Sequence, residues 1–395
     1  MRILLLTPFL PDPAAPHGGG IYLATLAQAL ARHAEVGLVA QVREAEQARL
    51  AAAPGPWRFV ATTPFRERPN GRGRRRHQLR MLWHWSRLPL VAAKHWDPAV
   101  VQQLARARAE FRPDVAFVEL AQMAQFLPFL QGLPTVFTDH EAGCPANTAT
   151  GLGRWGDRRD ARLWARYVQH FYPQASLLQA VTAEDAAALG RTLGRDVLVR
   201  PPTFAVPAQP VAPERAPPRA LFLGDYSHQP NPEAATMLVH EVLPRLRAAE
   251  PASELWLAGP NQQRLQSLAS HPGVRLVGFV PDLGELLGQV RLLLAPLFSG
   301  GGFRMKGLAA LAHGLPVVTN HLGARGCSAP APARLVVDGA SALADAALGL
   351  LRSPVRAAEA GRAAYAWARA NLTGDAVAAT QLERARNLLA GRRPA

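Results

Sequence analysis

"FSGGGFRMKGLAALAHGLPVVTN", residues 298–320, joins a glycine triplet to two cations, an apolar helical pattern and a short buried-looking strand. Gly300, Gly301 and Gly302 let the backbone approach a ligand closely, because no Cβ obstructs it and positive φ costs little. Arg304 and Lys306 then open the pattern RMKGLAALAH, where unpaired backbone N–H groups and the helix dipole already favour negative charge. The stretch reads as a diphosphate cradle at a strand-to-helix turn, and such turns belong to open α/β sheets. Lys94 and Lys306 are the chain's only lysines among many arginines. An ammonium kept in the glycine loop suits phosphate as a point charge, where Arg would act as a planar fork.

Outward from this turn, short apolar runs alternate with helical patterns. RALFLG (219–224), ELWLAG (254–259), VRLVGF (274–279), VRLLLAP (290–296), LPVVTN (315–320) and RLVVD (334–338) lie in the second half of the chain. RILLLT (2–7), EVGLVAQ (35–41), DVAFVEL (114–120), PTVFT (134–138) and SLLQAV (176–181) lie in the first. Continuous apolar runs separated by helices indicate strands buried on both faces of a parallel sheet, so the expectation is α/β, two doubly wound Rossmann-like domains. Between the two series, PPTFAVPAQPVAPERAPP (201–218) has too many fixed φ angles for a helix or a central strand and reads as an interdomain linker. The expected domains are residues 1–205 and 206–373, followed by a helix over 374–391.

At 395 residues the chain exceeds one ordinary core, which agrees with two domains. Its 49% hydrophobic and 18% charged content describes a folded protein. The opening MRILLLTPF stops at Thr7-Pro8, short of a signal-peptide core, so the run reads as a first strand and the chain as cytoplasmic. Two cysteines, Cys144 and Cys327, offer neither a disulfide framework nor a metal cluster, and no metal or cofactor is expected. The net charge of +15 invites a nucleic-acid reading, but the basic residues are dispersed, and no nucleic-acid partner is expected.

Ligands of open parallel sheets bind beyond the carboxyl ends of the strands, so the loops there carry the candidate residues. After the first strand, Gly18, Gly19 and Gly20 precede a helix and form a second anion-compatible start; a mere flexible turn is the alternative. After PTVFT come Asp139, His140 and Glu141; His140 has the chemistry to donate a hydrogen bond to a substrate or relay a proton, whereas a solvated turn is the plainer account. GFVPDL (278–283) leaves the backbone of Phe279 and Val280 beside Gly278 open to a flat ligand, with Asp282 placed to cap a helix. Residues 66–96 mix an Arg run with Trp83, Trp85 and Trp96, which fits an anionic membrane surface, RNA, or a helix packed through its tryptophans.

The ordered segments FLGDYSHQPNPEAATMLVHEVLPRLR, LWLAGPN, GVRLVGFVPDLGELL, LLLAPLFSGGGFRMKGLAALAHGLPVVTN and GARG together resemble the carboxy-terminal half of the glycosyltransferase group 1 family, retaining enzymes of the GT-B fold. The resemblance implies two domains facing across a cleft, with the final helix packing back on the first. It also implies a nucleoside diphosphate sugar donor in the second domain and a glycan, lipid-linked or small-molecule acceptor in the first. Arg304 and Lys306 would hold the diphosphate, with Gly18, Gly19 and Gly20 approaching it or the acceptor, and His140 would touch the transferring sugar beside Asp139. Gly224, Gly278, Phe279, Val280, Gly301, Gly302, Phe303 and Leu308 would line the donor. The family commonly places one glutamate before the phosphate helix and a second, which holds the ribose, eight positions on; here those positions are Gly301 and Ala309. Loss of the second removes a charge-assisted hydrogen bond, about 1.5–3 kcal/mol of donor binding. Arg325 replaces an acid in the GARG turn.

The function expected is transfer of a hexose with retention, in cell-envelope polysaccharide synthesis, at the cytoplasmic face of a membrane. The rivals are a noncatalytic GT-B protein that binds a nucleotide sugar or a partner transferase, a nucleotide-sugar epimerase of the same fold, and a nucleic-acid binder supported by charge alone.

Overall fold

A computed structural model of the chain describes residues 1–15, 18–65, 73–140, 150, 153–299 and 305–391, and the side chains of all of these except 73–78. The chain divides into two compact units, Met1–Thr203 with Gly374–Ala395, and Phe204–Thr373.

The first unit is built on β1 (Arg2–Thr7), β2 (Glu35–Val42), β3 (Phe59–Pro64), β4 (Val115–Glu119), β5 (Thr135–Asp139), β6 (Leu177–Ala180) and β7 (Leu198–Val199). They form one parallel sheet in the order β3-β2-β1-β4-β5-β6-β7. Side chains alternate across a strand, and β1 shows why its run is unbroken in apolarity. Ile3 and Leu5 pack with Leu23 and Leu26 of the helix Gly18–Ala31 and with Val377 and Leu382 of the helix Gly374–Leu389. Leu4 and Leu6 face the other way, onto Leu104, Met123 and Phe126. Each fully buried Leu of this kind stabilises the fold by about 1.5–3 kcal/mol.

The second unit repeats the plan with β8 (Arg219–Leu223), β9 (Glu254–Ala258), β10 (Val274–Gly278), β11 (Leu292–Leu294), β12 (Val317–Thr319) and β13 (Arg334–Val336), ordered β10-β9-β8-β11-β12-β13 and parallel throughout. Ala220 and Phe222 face one core, Leu221 the other. Both sheets are doubly wound, and in each the strand order reverses once, between β1 and β4 and between β8 and β11. Those reversals mark where each unit opens for a ligand.

Two strands escape the sequence reading, and both are sheet edges. β3 carries two threonines, alternates buried with half-buried positions and ends in Pro64, which an edge tolerates; β7 has two residues. The Pro-rich stretch 201–218 differs from a free linker. From Phe204 on it is strapped to the second unit: Val211 N–H donates to the His313 carbonyl at 2.8 Å, Tyr365 hydroxyl donates to the Pro207 carbonyl at 2.6 Å, and the buried Arg291 guanidinium holds the carbonyls of Ala216 and Leu351.

At the end of β2, buried His95 takes Nδ1 to within 2.7 Å of Gln41 Oε1 and stacks on Phe65. Burial, with Arg43 and Lys94 nearby, lowers its pKa to about 3. The unfolded chain therefore binds the proton first, and the stability this neutral ring contributes is present above pH 6.5 and lost as pH falls toward 3. The expected slope is about 1.4 kcal/mol per pH unit. Urea unfolding at neutral pH and at about pH 5 should show wild type losing about 2 kcal/mol more than His95→Gln. Equal losses would remove His95 as the acid-sensitive group.

Candidate functional site

At the β8/β11 reversal of the second unit, Lys306 is the second residue of the helix Met305–Ala312. Its Nζ donates to Asn231 Oδ1 at 2.8 Å and lies 4.2 Å from the Phe222 ring centroid, so the ammonium is held at the carboxyl end of β8. Asn231, near the start of the helix Pro230–Met237, donates through Nδ2 to the Asp225 carbonyl at 2.8 Å. Gly224 explains how the amide comes so close, since a Cβ there would sit 2.7 Å from Asn231 Cγ. The glycine at this position serves Asn231 rather than facing open space. Gly300, Gly301, Gly302, Phe303 and Arg304 lie outside the described residues.

Glycine follows β8 and β9 directly, as Gly224 and Gly259, and closes β10 as Gly278. Gly259, with φ of +129°, would place a Cβ 2.0 Å from the Gly224 carbonyl oxygen, and its N–H donates to the Gly278 carbonyl at 2.7 Å. Gly278, φ +82°, has open space where its Cβ would be. Phe279 is 71% exposed, Val280 packs partly into the core, and Asp282 caps the next helix by accepting from Glu285 N–H at 3.1 Å. Leu308 is fully buried and belongs to that core, so its side chain is placed to pack rather than to line a ligand. Ala309 is half-buried, and its carbonyl accepts from the ring Nδ1 of His313 at 2.8 Å.

In the first unit, Gly18, Gly19 and Gly20 form the first turn of their helix rather than a loop before it. At the β1/β4 reversal and the neighbouring end of β5, four side chains meet. His140 Nε2 is 2.9 Å from Glu119 Oε2, Arg200 Nη2 donates to the same oxygen at 2.5 Å, and the Tyr22 hydroxyl contacts the imidazole, lying nearest Nδ1. Glu119 and Arg200 are each 1% exposed, His140 12%. Burial raises Glu119 to about 7 against the pull of Arg200 and Thr138, while burial and Arg200 hold His140 well below its usual value. The imidazole is thus neutral beside a carboxyl poised near neutrality. Asp139 is fully buried in β5, and its carboxylate accepts from Tyr172 hydroxyl at 2.7 Å. Glu141 lies outside the described residues.

Glu119, Arg200, Tyr22, Asn231 and Gly259 belong to these two clusters and are not singled out by the sequence alone. A signal existed for Glu119, a carboxylate inside the apolar run of a central strand. Of the three tryptophans in 66–96, Trp85 is buried with Nε1 donating to Asp160 at 2.8 Å, and Trp96 stacks on Phe126; Trp83 alone is on the surface, 58% exposed. Among the described residues no three His, Cys, Asp or Glu side chains gather as a metal site.

Residues 217–353 match the family model described as glycosyl transferases group 1. The second unit resembles that family. Over the whole chain, the fold matches sucrose-phosphate synthase of Thermosynechococcus elongatus at 18% identity, covering 99% of this chain and 100% of that one with a TM-score of 0.67. It matches HepE of Anabaena, solved with UDP, at 17% identity, 98% and 100% coverage and a TM-score of 0.64. WaaG, a glycosyltransferase involved in lipopolysaccharide biosynthesis, matches at 14% identity, 98% and 100% coverage and a TM-score of 0.59. The architecture is that of GT-B glycosyltransferases. No match to a curated protein sequence is found.

The glycines at these strand ends give a direct test. Gly259→Ala should destabilise the protein by about 1–3 kcal/mol, because a Cβ 2.0 Å from a backbone oxygen must push β8 and β9 apart and its φ is strained for alanine. Chemical denaturation reads the loss; an unchanged midpoint would mean the strand ends are not so tightly joined.

Proposed function

We propose that the protein transfers a hexose from a nucleoside diphosphate sugar to a hydroxyl of a glycan, lipid-linked or small-molecule acceptor, with retention at the anomeric carbon. The observation that carries this reading is Lys306, held by Asn231 at a helix start on the β8/β11 reversal and inside the span that matches the family model. A cation and a helix N-terminus together supply what a leaving diphosphate needs, stabilisation of the charge that grows as the glycosidic bond breaks. Arg304, two residues earlier in sequence, is assigned the same task. The UDP and UDP-glucose complexes of HepE support a nucleotide-sugar donor. His140 is assigned to the transferring sugar, the first unit to the acceptor, and the setting to polysaccharide synthesis of the cell envelope, as for WaaG.

Ala309 favours a second reading, a protein of this fold that binds a nucleotide sugar or a partner transferase without turnover, since the ribose is offered no carboxylate there. Product formation against nucleotide binding separates the two. Lys306→Ala should weaken nucleoside diphosphate binding about 10- to 100-fold and nucleoside binding little, the loss of one charge-assisted contact. Ala309→Glu should tighten a ribose-bearing donor in the same calorimetric series. Diphosphate binding that survives loss of Lys306 would leave the reading on shared fold alone.

A peripheral contact with anionic membrane is assigned to the helix Gly73–Trp85, where Leu79, Leu82 and Trp83 are exposed beside Arg80 and Arg87. No helix among the described residues is long and apolar enough to cross a membrane. At low salt, sedimentation with anionic vesicles should fall for Trp83→Ala, and neutral vesicles should bind less than anionic ones. Equal binding to both would end the electrostatic account.

A further inference from the structure

We propose that Glu119 is the positioning residue of His140: its carboxyl decides which imidazole nitrogen carries the proton, and so whether the ring accepts or donates a hydrogen bond on its substrate side. This rests on the reading above, in which His140 touches the transferring sugar.

The geometry makes the two nitrogens unequal. Nε2 lies 2.9 Å from Glu119 Oε2, an oxygen that also accepts from Arg200 Nη2. The Tyr22 hydroxyl contacts both nitrogens, lying 2.9 Å from Nε2 and closer still to Nδ1, which has no carboxylate beside it among the described residues. An ionised Glu119 only accepts, so Nε2 must carry the hydrogen and Nδ1 offers a lone pair, here to Tyr22 and in the reaction to a sugar hydroxyl. A protonated Glu119 donates through its O–H to Nε2, which moves the ring hydrogen to Nδ1 and turns that face into a donor. One proton from solvent makes the exchange, and the imidazole stays neutral in both forms.

The surroundings permit the exchange near neutrality. Facing Glu119 are Thr138 of β5, His140 just after it and Arg200 after β7; Tyr22 approaches through the imidazole, Gln179 of β6 through Thr138, and Arg384 of the last helix through Arg200. Burial outweighs the Arg200 charge and brings Glu119 to about 7, whereas His140 is held far too acidic to take a second proton there. Arg200 keeps Nε and Nη1 buried without partners among the described residues, so its guanidinium is not fully spent on one carboxylate. A pair built for stability alone would be expected to satisfy those donors.

The test is nitrogen NMR of histidine-labelled whole protein, with His140 assigned by the resonances missing from His140→Gln. The expected result is an exchange of tautomer at His140 between about pH 5.5 and 8.5 with its midpoint near neutrality. Glu119→Gln, which cannot ionise, should hold one tautomer throughout and lower turnover about 10- to 100-fold with loss of the matching step in the pH profile, while nucleoside diphosphate binding is unchanged. A wild-type His140 that keeps one tautomer across the range overturns the proposal, as does an exchange that persists in Glu119→Gln. The wild-type titration alone suffices if that variant does not fold. Because the spectrum requires no turnover, it still reports on Glu119 if no sugar transfer is found, so failure of the transferase reading is separately visible.

Discussion

Both faces of both sheets are covered, and this constraint governs where chemistry can emerge. Ile3 and Leu5 on one side of β1 and Leu4 and Leu6 on the other leave no polar position between Arg2 and Thr7 at its ends, and Leu221 and Phe222 repeat the arrangement in β8. A buried parallel strand offers its backbone and side chains to water only at its ends. Each unit places its glycine-started or cation-bearing helix at the carboxyl end, at the reversal of strand order.

The same constraint decides what was legible in the sequence. Strands covered on both sides, such as β1, β8 and β12, announce themselves as apolar runs, and β4 does so up to Glu119. β3 and β7 have a neighbour on one side, need fewer apolar residues, and look like loops. Within the second unit, the glycine turn and Lys306 stand close in sequence and could be read together. In the first unit, Tyr22 meets His140 across 118 residues and Arg200 meets Glu119 across 81, separations that no local pattern encodes. His140 was visible as a polar residue after a strand, but its partners were not. Asp139, the last residue of β5, and Leu308, two residues after Lys306 on its helix, both turn their side chains into the core, which their place in the sequence beside His140 and Lys306 does not reveal.

Glu119 and Arg200 invite a stability explanation that physical chemistry does not support. Removing two charges from water costs more than a single contact returns unless every remaining donor is satisfied, and among the described residues two of the Arg200 nitrogens have no partner. Hydrophobic residues of similar volume would serve the fold as well. The carboxylate is retained at the end of a central strand, against a histidine with limited access to solvent, so its energetic cost is best understood through what it does to that histidine.

The first unit also gathers the chain's two crossings onto one helix. Thr203, the last residue before the second unit, donates through Oγ1 to the Tyr22 carbonyl at 2.6 Å. Gly374, the first residue after it, packs so closely that a Cβ would lie 3.1 Å from the Thr25 carbonyl. Both contacts fall on the helix that begins with Gly18, Gly19 and Gly20 and carries Tyr22 onto the imidazole. A shift of that helix along its axis must therefore move the hydroxyl beside His140 and strain the chain at both crossings together. A helix opening on three glycines, a weak start by propensity, is thus fixed within the first unit by what it packs against.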